Sequence, residues 1–267
     1  MNSMDYVERS FLFVPGDRSE RFEKAKSSGS DAIIIDLEDA VTPENKRLAR
    51  ENALRYLQAG NRAFIRINAA GSEWFEADLQ VIADGRCAGA FLSKAESAQQ
   101  VAAVAGRCAS VYPIIESARG FRNLQAISQA PGVKRLAFGT LDFSLDTGMA
   151  DNDRVLIAVR TEIVLTSRLA GLQPPIDGVT TEFRNTDRTV LDATHSREMG
   201  FGGKLCIHPA QVPCVNNIFG YSDEEIAWAD NILSLSQSSY GAVSDNGKMV
   251  DKPVLEKAKR ILAHRFS

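Results

Sequence analysis

Between Ser10 and Pro209 the chain repeats one pattern eight times: a short apolar run, then a polar stretch with helical spacing. The runs are SFLFVPG, AIIIDLED, AFIRIN, GAFLSKAE, SVYPIIES, KRLAFGTLD, IDGVTTE and GKLCIHP. Runs apolar at consecutive positions are strands covered on both faces, as in parallel sheets. The intervening stretches carry helix punctuation. PENKRLARENALRYLQAG has Pro43 near its start and Gly60 as a stop, and RVLIAVRTEIVLTSRLAG ends at Gly171. Strands alternating with helices make parallel β/α units. Eight units predict a (β/α)8 TIM barrel over residues 1–219. A doubly wound open sheet is the alternative, but no glycine-rich dinucleotide fingerprint follows the first run.

Residues 220–267 exceed what barrel closure needs and predict a C-terminal helical extension. Ser222 and Glu225 form a capping box ahead of SDEEIAWADNILSLSQSS. YGAVSDNGKMVD, with Gly241 and Gly247, reads as a loop, and a last helix is expected from Pro253 to the terminus.

Composition narrows the function classes. A net charge of −3 gives no electrostatic footprint for nucleic acid. MNSMDYVERS lacks the apolar core of a signal peptide, and no apolar run approaches a membrane span, so a cytoplasmic location away from membranes is expected. Cys87, Cys108, Cys206 and Cys214 have no CxxC spacing and read as reduced thiols.

The C-terminal ends of the runs concentrate polar residues. In chain order they are Arg18; Asp36, Glu38 and Asp39; Arg66 and Asn68; Lys94 and Glu96; Glu116; Asp142; and His208. In a barrel these ends share one face, where catalysis takes place. The carboxylates of DLED are therefore expected to line a mouth facing water, metal and substrate. Clustered carboxylates raise one another's pKa, and a divalent cation relieves the repulsion. With no His or Cys cluster at zinc spacing, a hard oxygen-bound ion such as Mg²⁺ is the expectation.

RSFLFVPGDRSERFEKA, DAIIIDLEDAV, FIRIN, LSKAES, PIIESARG, LAFGTLDFSLDTG and GKLCIHPAQV together resemble the citrate lyase β-subunit-like branch of the HpcH/HpaI aldolase and malyl-CoA lyase family. The resemblance spans nearly the whole chain. It implies a Mg²⁺-dependent barrel lyase, with Mn²⁺ as an alternative ion, that splits a 3-hydroxyacyl-CoA such as citryl-, malyl- or citramalyl-CoA into an acyl-CoA and a 2-keto acid. It assigns the metal to Glu116 and Asp142, and metal-bound water to Glu38 and Asp39. Arg66 falls against the thioester oxygen and the substrate carboxylate. Phe13, Arg18, Lys24, Ile207, His208 and Pro209 fall around coenzyme A. Two departures stand out. Leu141 replaces the Glu that many relatives carry before the metal-binding Asp, which touches the substrate side of the pocket, and Ser117 replaces a common Thr.

The resemblance also bears on GKMVDKP, Gly247 to Pro253. By itself Asp251 before a proline-led helix reads as a helix cap. Relatives carry a similar segment whose aspartate reaches a neighbouring subunit's site as the acid/base on the thioester α-carbon. That implies catalytic Asp251 and a homo-oligomer, a trimer or a dimer of trimers. Lys94 either supports the carboxylates or pairs with Glu96. His208 reads as a structural turn more than as a base, and His195 and His264 as surface helix residues. Ser144 has no partner that would make it a nucleophile. The competing functions are an aldolase acting on a free 4-hydroxy-2-keto acid, and a weakly active coenzyme A-binding subunit.

Overall fold

The computed structural model describes residues 7–83, 87–238, 243–245 and 248–263. Eight strands close in chain order into an all-parallel barrel: β1 (Ser10–Pro15), β2 (Ala32–Asp36), β3 (Phe64–Ile67), β4 (Gly89–Leu92), β5 (Val111–Ile115), β6 (Ala137–Phe138), β7 (Ile176–Asp177) and β8 (Gly203–Cys206). The eight runs are the eight strands. The open-sheet alternative is excluded by the pairing of β1 with β8.

Helices fill the intervals. They are α1 (Phe22–Lys26), α2 (Lys46–Gln58), α3 (Phe75–Ala83), α4 (Ala98–Ala105), α5 (Ala118–Arg122), α6 (Leu124–Ser128), α7 (Thr140–Thr147), α8 (Asp153–Leu169), α9 (Thr186–Met199) and α10 (Val212–Phe219). Gly60 and Gly171, read as stops, both adopt left-handed backbone just past α2 and α8.

Side-chain alternation sorts the core into two layers. Outward residues such as Ile33, Ile35, Ile65 and Leu92 pack against the helices. Inward residues fill the barrel: Phe11, Ile34, Phe64, Phe91, Tyr112, Ala137, Ile176 and Leu205. Phe11, Phe64, Phe91 and Tyr112 form one aromatic cluster, with ring centroids 4.9–6.4 Å apart. Arg135 lies fully buried with its guanidinium over Phe11, and donates to the carbonyls of Glu8 and Pro174 at 2.7 Å each. Burial brings its pKa down to about 10.

A buried ionic cluster ties α8 and α9 to the last strands. Asp177 accepts from Lys204 Nζ at 2.7 Å and from Ser196 Oγ at 2.6 Å, and also pairs with Arg160. Burial would raise the Asp177 carboxyl, but Lys204 and Arg160 hold it down at about 2.

Contacts divide the chain into two compact units, Glu8–Phe219 and, together with Val7, the residues from Gly220 onward. In the second unit, α11 (Asp223–Ser238) and α12 (Lys252–Ala263) pack through Ala229, Ile232, Ala258 and Ile261. The Ser222–Glu225 capping box is made, at 2.9 and 3.1 Å. The loop reading of YGAVSDNGKMVD needs correction, because β9 (Val243–Asp245) and β10 (Lys248–Val250) pair antiparallel. The final helix begins at Lys252 rather than Pro253. His264 lies outside the described residues. Among the described residues, no helix is long and apolar enough to cross a membrane.

Candidate active site

Asp36 ends β2 and Arg66 lies in the middle of β3, and the two are register partners. Arg66 Nε donates to Asp36 Oδ1 at 2.7 Å and Nη2 to Oδ2 at 2.6 Å. The N–H groups of Glu38 and Ala40 supply two more bonds to the same carboxylate, at 2.9 and 3.0 Å. Asp36 is fully buried, so DLED does not present all its carboxylates to water as expected. Burial raises its pKa, but Arg66 and the backbone donors outweigh that and hold the carboxyl below its usual range. Asp36 is the anchor of Arg66.

The other edge of the guanidinium meets the rest of DLED. Nη1 lies 3.0 Å from Glu38 Oε2 and 3.7 Å from Asp39 Oδ2. The plane of the group rests on the Phe13 ring at 4.6 Å, a cation–π contact. Glu38 is buried and Asp39 exposed. Burial pushes the Glu38 carboxyl up to about 7; Arg66 offsets part of this, while Asp39 and Asp36 reinforce it.

Beneath DLED sits Lys46, which is 4 % exposed. Its ammonium donates to the carbonyls of Leu37 and Glu38 at 2.7 and 2.8 Å and to Asn68 Oδ1 at 2.8 Å. Asn68 in turn donates to Asp78 and to the Leu37 carbonyl. The backbone carrying Glu38 is therefore clamped from below.

Glu116 follows β5 and is 4 % exposed. Its Oε1 accepts the N–H of Lys94 at 2.6 Å. Lys94 adopts φ 48°, an uncommon backbone for a residue with a side chain, and this turns its N–H toward Glu116. The Oε2 side faces Gly139, where a Cβ would come within 2.6 Å. Burial first, then Glu38 and Asp142, raise the Glu116 carboxyl to about 8. Asp142 is half-buried in the first turn of α7, beyond the two-residue β6 rather than on it. The exposed Lys94 ammonium faces Glu38, Asp142, Glu116 and Asp39 and is held above its usual pKa despite desolvation. Glu96 pairs elsewhere, with Ser117 Oγ at 2.8 Å and Arg119 at 3.5 Å.

The remaining expected residues lie on several elements. Leu141 is 41 % exposed on α7. Arg18 and Lys24 are exposed, but no long helix starts between them. A single 3-10 turn leads into the five-residue α1, with Lys24 in its last turn. His208 Nδ1 accepts from Ala210 N at 3.2 Å and its ring stacks on Phe183. Gln211 accepts from the N–H groups of Ile207 and His208, which fixes the turn into Pro209. His195 is half-buried, with Nδ1 3.1 Å from Asp153, rather than a free surface residue. In the C-terminal unit, Asp251 caps α12 by accepting from Val254 N at 3.2 Å and is exposed.

Do these residues suit a divalent cation? All candidate donors are carboxylate oxygens, the preference of a hard ion. Among the described residues, no group of three or more His, Cys, Asp or Glu is arranged as a metal cage. Glu116 and Asp142 alone would leave most positions to water and substrate, as Mg²⁺ commonly requires. Burial first and neighbouring carboxylates second oppose the ionisation of Glu116 and Glu38, and a cation would offset both effects. The residues fit.

The HpcH/HpaI aldolase/citrate lyase family model matches residues 9–209. The chain belongs to the HpcH/HpaI aldolase/citrate lyase family. Among curated family members, the citrate lyase subunit beta-like protein of Deinococcus radiodurans is 35% identical, with 99% of each chain covered. The (3S)-malyl-CoA thioesterase of Cereibacter sphaeroides strain KD131 is 30% identical, with 97% of each covered. Among solved structures, CitE from Mycobacterium tuberculosis in complex with magnesium, acetoacetate and coenzyme A superposes with a TM-score of 0.83 at 32% identity, covering 98% of this chain and 99% of that one. The family is one of enzymes, lyases and thioesterases.

Proposed function

We propose that the chain is a Mg²⁺-dependent carbon–carbon lyase that cleaves, or in reverse forms, a 3-hydroxyacyl-CoA of the citryl, malyl or citramalyl type. The observation that carries this reading is the meeting at one barrel mouth of an immobilised guanidinium, Arg66, with the carboxylates Glu116 and Asp142. A hard cation held by Glu116 and Asp142, Mg²⁺ or alternatively Mn²⁺, would supply Lewis-acid polarisation of a substrate oxygen. Arg66 uses two of its five N–H groups on Asp36 and turns Nη1 toward Glu38 at 3.0 Å, and the N–H groups not engaged by these carboxylates would orient a thioester oxygen and a carboxylate. A fixed cation there stabilises the negative charge that gathers on the thioester oxygen as the carbon–carbon bond breaks. Glu38 and Asp39 would hold water beside the metal ligands. Phe13, Arg18, Lys24, Leu141 and the Ile207–Pro209 turn would receive the coenzyme A ester.

The α-carbon proton needs a positioned acid/base. We assign it to Asp251 of a neighbouring copy in a homotrimer or dimer of trimers. Residues 220–267 would then act as an arm completing another copy's site.

The test is a panel of citryl-, malyl- and citramalyl-CoA incubated with the protein and Mg²⁺, with products resolved by mass. Acyl-CoA plus a 2-keto acid supports the lyase. Free coenzyme A plus the intact hydroxy acid identifies a thioesterase, as in the Cereibacter relative's name. Cleavage of a free 4-hydroxy-2-keto acid with every thioester untouched would identify an aldolase. No turnover of any substrate, with coenzyme A bound, would leave a binding subunit.

A further inference from the structure

Cys87 lies two residues before β4 and Cys108 three residues before β5. These strands pair in parallel with Ala90 opposite Val111. Counting three positions back on each strand brings Cys87 opposite Cys108. Neighbouring strands lie about 4.8 Å apart, inside the roughly 4.4–6.8 Å Cα spacing that a disulfide spans. The two sulfurs are 3.6 Å apart. Cys108 is buried and Cys87 half-buried, so a reagent meets Cys87 first.

From this geometry we infer that Cys87 and Cys108 form an oxidisable dithiol, which a small-molecule disulfide of the glutathione class converts into an intramolecular disulfide. The Cys87 thiolate attacks one sulfur of the reagent. The reagent's S–S bond breaks, and one small thiol leaves with the proton that Cys87 gave up. Cys108 then attacks the Cys87 sulfur, the mixed disulfide breaks, and the second small thiol leaves with the proton from Cys108. The protein dithiol loses two electrons and two protons, and the reagent gains both. Cys108 suits the second step, since its sulfur already lies 3.6 Å from that of Cys87.

The linkage would staple the N-terminal ends of β4 and β5 and close a loop of 21 residues in sequence separation. Lys94 and Glu116 lie at the opposite ends of the same strands, so the staple and the catalytic mouth are tested separately. This inference does not depend on the proposed reaction.

The experiment uses the folded full chain, treated with oxidised or with reduced glutathione. The expected result is an intact mass lower by two hydrogens after oxidation, a Cys87–Cys108 peptide in a non-reducing digest, and a melting temperature higher by roughly 5–10 °C. Cys108→Ser should lose the linkage and the shift, and Cys87→Ser should do the same. A stable glutathione adduct on Cys87 of the wild type, a different cysteine pairing, or an unchanged mass would each overturn the inference.

Discussion

Asp36 and Arg66 face one another across β2 and β3 and are joined by two short parallel hydrogen bonds, 2.7 and 2.6 Å long. Removing the charge at Asp36 leaves a nearly buried guanidinium without its anchor. Asp36→Asn should cost roughly 3–5 kcal/mol in chemical denaturation, the scale of a broken buried pair. A loss below about 1 kcal/mol, the range of exposed pairs, would show that Arg66 relaxes onto Glu38 and Asp39 instead.

Arg66→Lys keeps the charge but loses the fork that fits Asp36. Turnover should fall by at least about a hundredfold, as for loss of an oxyanion donor. Near wild-type kcat would make Arg66 peripheral to the chemistry.

Glu116→Gln and Asp142→Asn should each abolish Mg²⁺ or Mn²⁺ binding by titration calorimetry while leaving the fold intact. Unchanged affinity in both would sink the metal assignment. Gly139 supplies a second probe of the same place. An added Cβ meets Glu116 Oε2 at 2.6 Å and its Cβ at 2.7 Å, so Gly139→Ala should displace the carboxylate and weaken the metal at a stability cost of about 1–3 kcal/mol.

The pH dependence follows from Glu116 near 8 and Glu38 near 7. Both stand above the ordinary Glu value, so between about pH 4.5 and 8 the folded state holds more protons than the unfolded chain. The metal-free protein should therefore lose stability as pH rises through that window, the reverse of the usual carboxylate case. Mg²⁺ should recover more of the loss at the alkaline end. Thermal melts at several pH values would show this, and a flat profile, or one no flatter in Glu116→Gln, would contradict it.

Asp251→Asn and Arg66→Ala should each be nearly inactive alone. Unfolded together and reassembled, some sites would pair an intact Arg66 with an intact Asp251 from different chains and regain part of the wild-type activity. Verified mixed oligomers as inactive as the parents would leave Asp251 as the cap of α12 and nothing more.

The barrel was legible because most of its strands are apolar on both faces, and that pattern survives without any knowledge of partners. Its margins were less so. KRLAFGTLD and IDGVTTE contain only two-residue strands, each followed by a glycine packed against the preceding strand or the residue just past it: Gly139 against Glu116, and Gly178 against Phe138. The candidate metal ligands and Arg66 stood out as polar residues at run ends. Asp36 stood out too, but its burial depends on register with β3, which no local pattern carries. Lys46 left a faint signal, a lysine on the same face of α2 as the buried Ala49 and Ala53. Arg135 left none, since its partners are backbone carbonyls far along the chain. The small hairpin was missed despite a usable sign: Asn246-Gly247 stands between its two strands, the dipeptide that favours tight hairpins.

The aromatic packing inside the barrel carries a kinetic consequence. Phe11, Phe64, Phe91 and Tyr112, with Arg135 over Phe11, fill the space enclosed by the strands, so among the described residues this layer closes the barrel interior to a ligand. On the proposed reading, a small keto acid beside Glu116 and Asp142 would sit between that floor and a bulky thioester arriving from outside. In condensation the keto acid must then enter first, and in cleavage it must leave last. The order would be compulsory, imposed by four rings and a guanidinium that take no part in the chemistry.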